Sequence, residues 1–208
     1  MKLRKSSYII MQQIIQKERI ILGIDPGTAV MGYGLVKETG TKMELISLGV
    51  IKMESLDDHM LKLQRIFEKT VALIDNYHPD CLAIEAPFYG KNIQVMLKLG
   101  RAQGVAMAAA LSRNVTITEY SPRKIKQAIT GNGNATKEQV AAMLQNLLKF
   151  NETPEFLDAT DGLAVAVCHS FQKISTSTGK TGSKKSYSGW ETFVKDNTNR
   201  VSGLKIKK

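Results

Sequence analysis

The sequence predicts an α/β fold in which a five-stranded mixed sheet is flanked by helices. Three apolar runs, Ile20–Asp25, Tyr33–Lys37 and Lys42–Met53, follow one another across turns that contain glycine. Such spacing is typical of an antiparallel meander. Two shorter apolar strands, Cys81–Ala86 and Val115–Tyr120, then alternate with segments of helical periodicity. Strands that alternate with helices pair in parallel, with the helices on the sheet faces, so both pairing modes are expected in one sheet.

Apolar residues at helical spacing predict the helices that accompany these strands. They are expected at Asp57–Tyr77, Asn92–Leu111 and Pro122–Ile129, after the loop GNGNATKEQ, and from Thr153 onward. The first helix has Asp57 or Ser55 as its N-cap, and His78-Pro79 ends it. Thr136 and Gln139 have capping-box spacing. The last helix is expected to have Thr153 as N-cap and Pro154 at its first helical position.

Charge is distributed unevenly along the 208 residues. The formal net charge is +10, and residues 173–208 contain nine basic and two acidic side chains, which supply +7 of it. A basic balance of this size favours nucleic acid as the partner. We therefore predict an N-terminal extension over 1–18, one globular domain over 19–173, and a basic, flexible tail over 174–208.

The cellular setting is predicted from two further features. Cys81 and Cys168 stand far apart in apolar segments, without a metal-binding spacing, and are expected to be reduced, buried thiols. No stretch is long and apolar enough to span a membrane. Both features favour a cytoplasmic protein with no membrane partner.

Four acidic residues stand in segments that otherwise have the composition of a core. Asp25 ends the first strand, Glu85 ends the fourth, and Asp158 and Asp161 lie three apart on one face of the last helix. Singly, each could be a turn residue, a solvated strand edge or a helix-dipole partner. Together they repel one another unless a cation compensates, which favours Mg²⁺ or Mn²⁺. Two such ions about 3.5–4 Å apart could clamp a phosphodiester, and Gly27 is expected to leave room for a phosphate.

The same segments carry a resemblance to a known family. The stretches ILGIDPGTAVMGYGLV, LAIEAPFYGKN, LKLGRAQGVA and LDATDGLAVAVCH resemble the RuvC Holliday-junction resolvases, within the RNase H-like nuclease superfamily. The resemblance runs from about Arg19 to Phe171. It implies an RNase H-like fold, a homodimer, and Mg²⁺-dependent paired nicking of four-way DNA junctions in recombination and repair. It also implies a branch-migration partner of the RuvAB type.

Positions carried over from the family give each site residue an expected role. Asp25, Glu85, Asp158 and Asp161 match its metal-binding, catalytic carboxylates. Phe88 matches an aromatic residue that contacts unstacked DNA, although it could instead be a core aromatic. Lys126 and Lys137 match lysines near the scissile strand and are expected to contact phosphates, although either could be a solvated helix residue. The helix at Asn92–Leu111 could form the dimer interface or simply pack on the sheet.

Rival functions are compatible with parts of the sequence. A sugar-kinase or actin-like ATP-binding protein also opens with a strand, an Asp and a glycine turn, as in GIDPGT. Such a protein needs a second phosphate loop, for which GNGN is too short, and the GKT at Gly179 lacks the earlier glycine of a P-loop. Two more rivals are a DNA-binding protein without catalysis and an RNase H-like nuclease that acts on RNA or hybrids.

Overall fold

The computed structural model describes residues 18–87, 92–150 and 157–178, with side chains described as far as residue 172. All five described strands belong to one compact unit that ends at Thr176. The predicted extension and tail, 1–18 and 174–208, lie almost wholly outside the described residues. In the parts of the chain so described, no helix combines the length and apolarity that crossing a membrane requires.

The five strands form one mixed sheet, as predicted. They are β1 at Glu18–Asp25, β2 at Val30–Thr39, β3 at Lys42–Lys52, β4 at Cys81–Glu85 and β5 at Thr116–Tyr120. Their order across the sheet is β3-β2-β1-β4-β5. The β1–β2 and β2–β3 pairs are antiparallel, whereas β1–β4 and β4–β5 are parallel. The meander thus forms one half of the sheet, and the strands that alternate with helices form the other.

Within the described residues, five helices accompany the sheet. They are α1 at His59–Tyr77, α2 at Ile93–Leu111, α3 at Pro122–Thr130, α4 at Lys137–Leu148 and α5 at Leu157–Thr178. The predicted capping box of Thr136 and Gln139 is confirmed at the start of α4. The predicted cap of α1 at Asp57 or Ser55 is wrong: Asp58 is the N-cap, because its carboxylate accepts a hydrogen bond from the Met60 amide at 3.0 Å. The predicted Thr153 cap and Pro154 lie outside the described residues.

Two apolar cores lie on opposite faces of the sheet. Residues of α3, α4 and α5 fill the first core, and residues of α1 and α2 fill the second. Successive side chains of a strand point to opposite faces. In β1, accordingly, Ile21 belongs to the first core, whereas Leu22 and Ile24 belong to the second. Both cysteines are buried and neither is in a disulfide, in agreement with the prediction.

Candidate active site

Asp25 and Glu85 end two neighbouring parallel strands. The register pairs Ile21 with Cys81 and continues in step to the pair of Ile24 and Ile84, so the next residues along are Asp25 and Glu85. Ile21 and Cys81 belong to the core beneath α5. Since side chains alternate with a period of two, both carboxylates lie on that same face. The strand order and register therefore bring two acids that are 60 residues apart to the carboxyl ends of two adjacent inner strands.

Close packing of α5 on the sheet brings Asp158 and Asp161 near these strand ends, where their charges act on Asp25. A Cβ atom at Gly32 of β2 would overlap the Asp158 carbonyl oxygen, and one at Gly162 would lie 2.5 Å from the backbone of Gly32 and Tyr33. Glycine on both surfaces lets the helix backbone touch the strand backbone. The first turns of α5 therefore lie directly over the ends of the strands.

Gly27 is required by the turn between β1 and β2. A Cβ atom at this position would overlap the carbonyl oxygen of Val30, which lies across the β1–β2 connection. The glycine is therefore required by the folding of its own turn. The expected room for a phosphate at Gly27 stays a prediction.

The electrostatics of the strand-end acids show that the carboxylates are crowded. Burial, followed by the negative charges of Asp161 and Asp158, raises the pKa of Asp25 to about 7, while Lys137 opposes this shift. Burial also raises the pKa of Glu85 to about 8, with further contributions from Asp25 and Asp161. Such shifts measure how strongly the site disfavours several uncompensated negative charges. A group of carboxylates in this state is stabilised by any cation that enters it.

Lys137 is a cation that already touches the acids of α5. Its ammonium group donates hydrogen bonds to Asp158 Oδ1, at 3.2 Å, and to Asp161 Oδ2. Burial raises the pKa of Asp161, and the Lys137 bond and charge oppose that increase. Lys137 was expected at the substrate phosphate. Its contacts with the two carboxylates were not predicted.

A cavity of about 350 Å³ opens beside these groups. Its polar lining comes from Glu85, Lys126, Lys137 and Asp161, and its apolar lining includes Ile125. Lys126 therefore lies near the acids, and its charge opposes the increase in the pKa of Glu85, while its expected phosphate contact stays a prediction. Phe88, by contrast, lies outside the described residues. The described lining combines carboxylates that could bind cations with lysines that could bind a phosphate.

Gln103 of α2 is a residue of the site that sequence reasoning missed. It is buried, and its side-chain amide donates to the Glu85 carbonyl oxygen at 3.2 Å and to Glu119 Oε2 at 2.8 Å. It therefore ties the end of β4 to β5 and fixes the backbone that carries Glu85. A polar residue between Ala102 and Ala106 on an otherwise apolar helix face was the available signal.

The donors suit a hard divalent cation in their chemistry. Carboxylate oxygens are the ligands that Mg²⁺ and Mn²⁺ prefer, and the raised pKa values of Asp25 and Glu85 show an unmet need for positive charge. In the described ranges, no three His, Cys, Asp or Glu side chains are grouped closely enough to hold one metal ion. The cation that contacts Asp158 and Asp161 here is the Lys137 ammonium group.

Comparison with known proteins gives a consistent result over most of the chain. The family model for crossover junction endodeoxyribonuclease RuvC matches residues 21–169. The crossover junction endodeoxyribonuclease RuvC of Christiangramia forsetii is 60% identical over 190 residues, covering 91% of this chain and 96% of that protein. The RuvC of Bacteroides fragilis is 58% identical over 187 residues, covering 89% of this chain and 97% of that protein.

Solved structures support the same relationship. The structure of Thermus thermophilus RuvC in complex with Holliday junction substrate matches with a TM-score of 0.71 and 30% identity, over 76% of this chain and 96% of that one. The fold is therefore RNase H-like, as the sequence predicted. Nucleases of the RuvC family are metal-dependent, which agrees with the acidic site. The family model over residues 21–169 and relatives about 60% identical over nearly the whole chain show that this chain belongs to the RuvC family of crossover junction endodeoxyribonucleases.

Proposed function

We propose that this protein is a structure-selective endonuclease that resolves four-way DNA junctions by paired, symmetric nicks, in homologous recombination and DNA repair. The observation that carries the proposal is the convergence of acids from two strand ends and one helix beside a cavity lined by lysines. Membership of the RuvC family supports the same substrate, because its Thermus thermophilus relative is described in complex with a Holliday junction.

The catalytic part of the proposal assigns metal binding to the four carboxylates. Asp25, Glu85, Asp158 and Asp161 would hold two Mg²⁺ ions, or Mn²⁺ in their place. Bound there, the ions would supply Lewis-acid chemistry that promotes attack of water on the phosphodiester and stabilises charge on the departing 3′ oxygen. Asp25 and Glu85 would be kept ionised by these cations, since without them both carboxyl groups tend to take up protons at neutral pH.

The substrate-binding part of the proposal uses the basic side chains. Lys126 lines the cavity beside Glu85, and we assign it to contact with a phosphate next to the scissile one. We assign Phe88, three residues after Glu85, to stacking on an unpaired base, on the strength of its matching position in the family. The basic segment 174–208 would add non-specific DNA affinity outside a nuclease domain over 19–173, with 1–18 as an extension.

Resolution of a junction requires two opposed cuts, so the proposal includes a two-fold homodimer. The exposed face of α2 supports this assembly. Residues on this face recur at positions three or four apart, which places them in one stripe along the helix. They are apolar or small, and the stripe consists of Ile93, Leu97, Gly100, Gly104, Ala108 and Leu111.

Two features of this stripe suit it to a second copy of the chain. Ile93 is 70% exposed and Leu111 is 62% exposed, so large apolar side chains face solvent in the monomer. A Cβ atom at Gly100 or Gly104 would meet nothing within 4 Å, so a second helix could approach the backbone closely there.

A branch-migration complex of the RuvAB type is the further partner we propose, and the cytoplasm is the compartment that gives access to the chromosome.

A comparison of substrates tests the proposal. A synthetic four-way junction, a linear duplex of the same sequence and an RNA–DNA hybrid are incubated with the protein and Mg²⁺. We expect symmetric nicks in opposed strands of the junction and little cutting of the other two substrates. Preferential cutting of the hybrid would replace the proposal with a ribonuclease function. Heat protection by ATP without nuclease activity would favour an ATP-binding protein instead.

A further inference from the structure

The Lys137 ammonium group satisfies two carboxylates at once. It bonds to Asp158 Oδ1 at 3.2 Å and to Asp161 Oδ2 at closer range. The Asp161 side chain is only 15% exposed, so its charge gains little from water. Lys137 therefore supplies to these oxygens the positive charge that a divalent ion would otherwise supply.

The Lys137 ammonium group and a divalent ion cannot both contact the same carboxylate oxygens of Asp158 and Asp161. Mg²⁺ binds carboxylate oxygens at about 2.0–2.1 Å, and Mn²⁺ prefers the same oxygen donors. An ammonium nitrogen in hydrogen-bond contact with the same atoms would lie within a few ångströms of the ion, where two positive charges repel strongly. An ion that binds Asp158 and Asp161 therefore requires Lys137 to leave.

The position of Lys137 in the fold lets its ammonium group move away from Asp158 and Asp161 while α4 stays folded. Its backbone begins α4 and is fixed by the Thr136–Gln139 capping box. Its side chain is 49% exposed and lines the same cavity as Lys126. A long lysine stem has several rotatable bonds, so the ammonium group can swing into the cavity while the helix stays in place.

We propose that Lys137 is a built-in counter-cation that holds Asp158 and Asp161 together in the metal-free protein and is displaced when a divalent ion binds them. This inference rests on the proposed function in one respect, namely that the carboxylates bind divalent metal. It makes Lys137 a positioning residue for the acids before metal arrives. It also predicts that the lysine lowers the affinity of the site for metal.

Titration with Mn²⁺, followed by the electron paramagnetic resonance signal of the free ion, measures that affinity directly. In Lys137→Met, we expect Mn²⁺ to bind about tenfold more tightly than in the wild type, the factor expected when two partly exposed ion pairs no longer have to be broken. Lys137→Arg keeps a cation in place and should bind Mn²⁺ no more tightly than the wild type.

Lys126→Met is the matched control. Lys126 lines the same cavity and its charge acts on Glu85 and Asp161, but within the described residues its side chain makes no hydrogen bond to either. Its loss removes the same charge without vacating an ion position, so we expect an affinity gain below about threefold in physiological salt. Equal gains in Lys126→Met and Lys137→Met would overturn the inference, because a general field effect would then explain both.

Two further outcomes separate this inference from the proposed function. Binding of Mn²⁺ to the wild type with no gain in Lys137→Met would overturn the inference and leave the metal site intact. Failure of every variant to bind Mn²⁺ would overturn both. Thermal unfolding supplies a second readout: metal-free Lys137→Met should melt below the wild type, and saturating Mn²⁺ should raise its Tm by more. Lys137→Gln serves the same comparison if the methionine variant does not fold.

Discussion

Replacing Gly162 by alanine tests how close packing of α5 builds the site. The added Cβ atom would lie 2.5 Å from the backbone carbon of Gly32 and from backbone atoms of Tyr33. Carbon atoms in contact are normally about 3.5–4.0 Å apart, so α5 must withdraw by about 1 Å. Overpacking of this kind costs about 1–3 kcal/mol, partly offset by the better helix propensity of alanine. Asp158 and Asp161 would move away from Asp25 together with the helix.

The consequence for activity should exceed the consequence for stability. A displacement of about 1 Å in a catalytic group can lower a rate about 100-fold. We therefore expect single-turnover cleavage of a four-way junction by Gly162→Ala to fall about 100-fold, at a temperature where urea unfolding shows the variant to be fully folded.

Ala166→Gly provides the matched control for that experiment. Ala166 lies one turn further along the same face of α5 and is fully buried. Its truncation costs about 1–2 kcal/mol through lost burial and helix propensity, yet it adds no atom that could push the helix away. Cleavage by this variant should stay within about threefold of the wild type. If Gly162→Ala cut as fast as Ala166→Gly, close helix packing would not position the acids and the reasoning would be refuted.

Three further perturbations test other parts of the site. Because the pKa of Asp25 is raised to about 7 and that of Glu85 to about 8, the metal-free folded protein holds more protons than the unfolded chain above about pH 4. Its urea midpoint should therefore fall as pH rises from 5 to 8. If the urea midpoint of Glu85→Gln changed with pH as much as that of the wild type, this prediction would be contradicted. Gln103→Leu removes the side-chain hydrogen bonds to the Glu85 carbonyl oxygen and to Glu119. The free energy of unfolding should therefore fall by about 1–3 kcal/mol, and cleavage should slow. An unchanged urea midpoint would contradict this prediction. Leu97→Glu places a charge in the exposed stripe of α2. Analytical ultracentrifugation should then show a monomer, and this monomer should nick a junction only once. A variant that stays dimeric would place the interface elsewhere.

Much of the fold could be predicted because its signals are local. The apolar runs around Ile21 and Leu82, and the capping pair Thr136 and Gln139, act within a few residues of chain, so pattern and propensity are sufficient to find them. The cap of α1 was misassigned because Asp57 and Asp58 are chemically equivalent. Only the backbone angle at the start of the helix decides which of them bonds the Met60 amide.

The site was predictable in its composition but not in its contacts. The acids stood out because carboxylates are rare in apolar segments. The contact of Gly32 with Gly162 joins residues 130 positions apart, and its distance depends on how the whole helix packs. The bonds of Lys137 to Asp158 and Asp161 likewise depend on where α4 crosses α5. Such long-range geometry is not encoded in any single segment.

The proposed mechanism requires carboxylates from distant parts of the chain to act together on a DNA phosphodiester. The single-turnover rate of four-way junction cleavage by Asp25→Asn, measured with protein in excess, tests it most directly. Asparagine keeps the shape of the side chain and removes its charge. We expect a rate lower by about 1,000-fold or more, with junction binding changed by less than about threefold. Cleavage at the wild-type rate would remove Asp25 from the chemistry and contradict this mechanism.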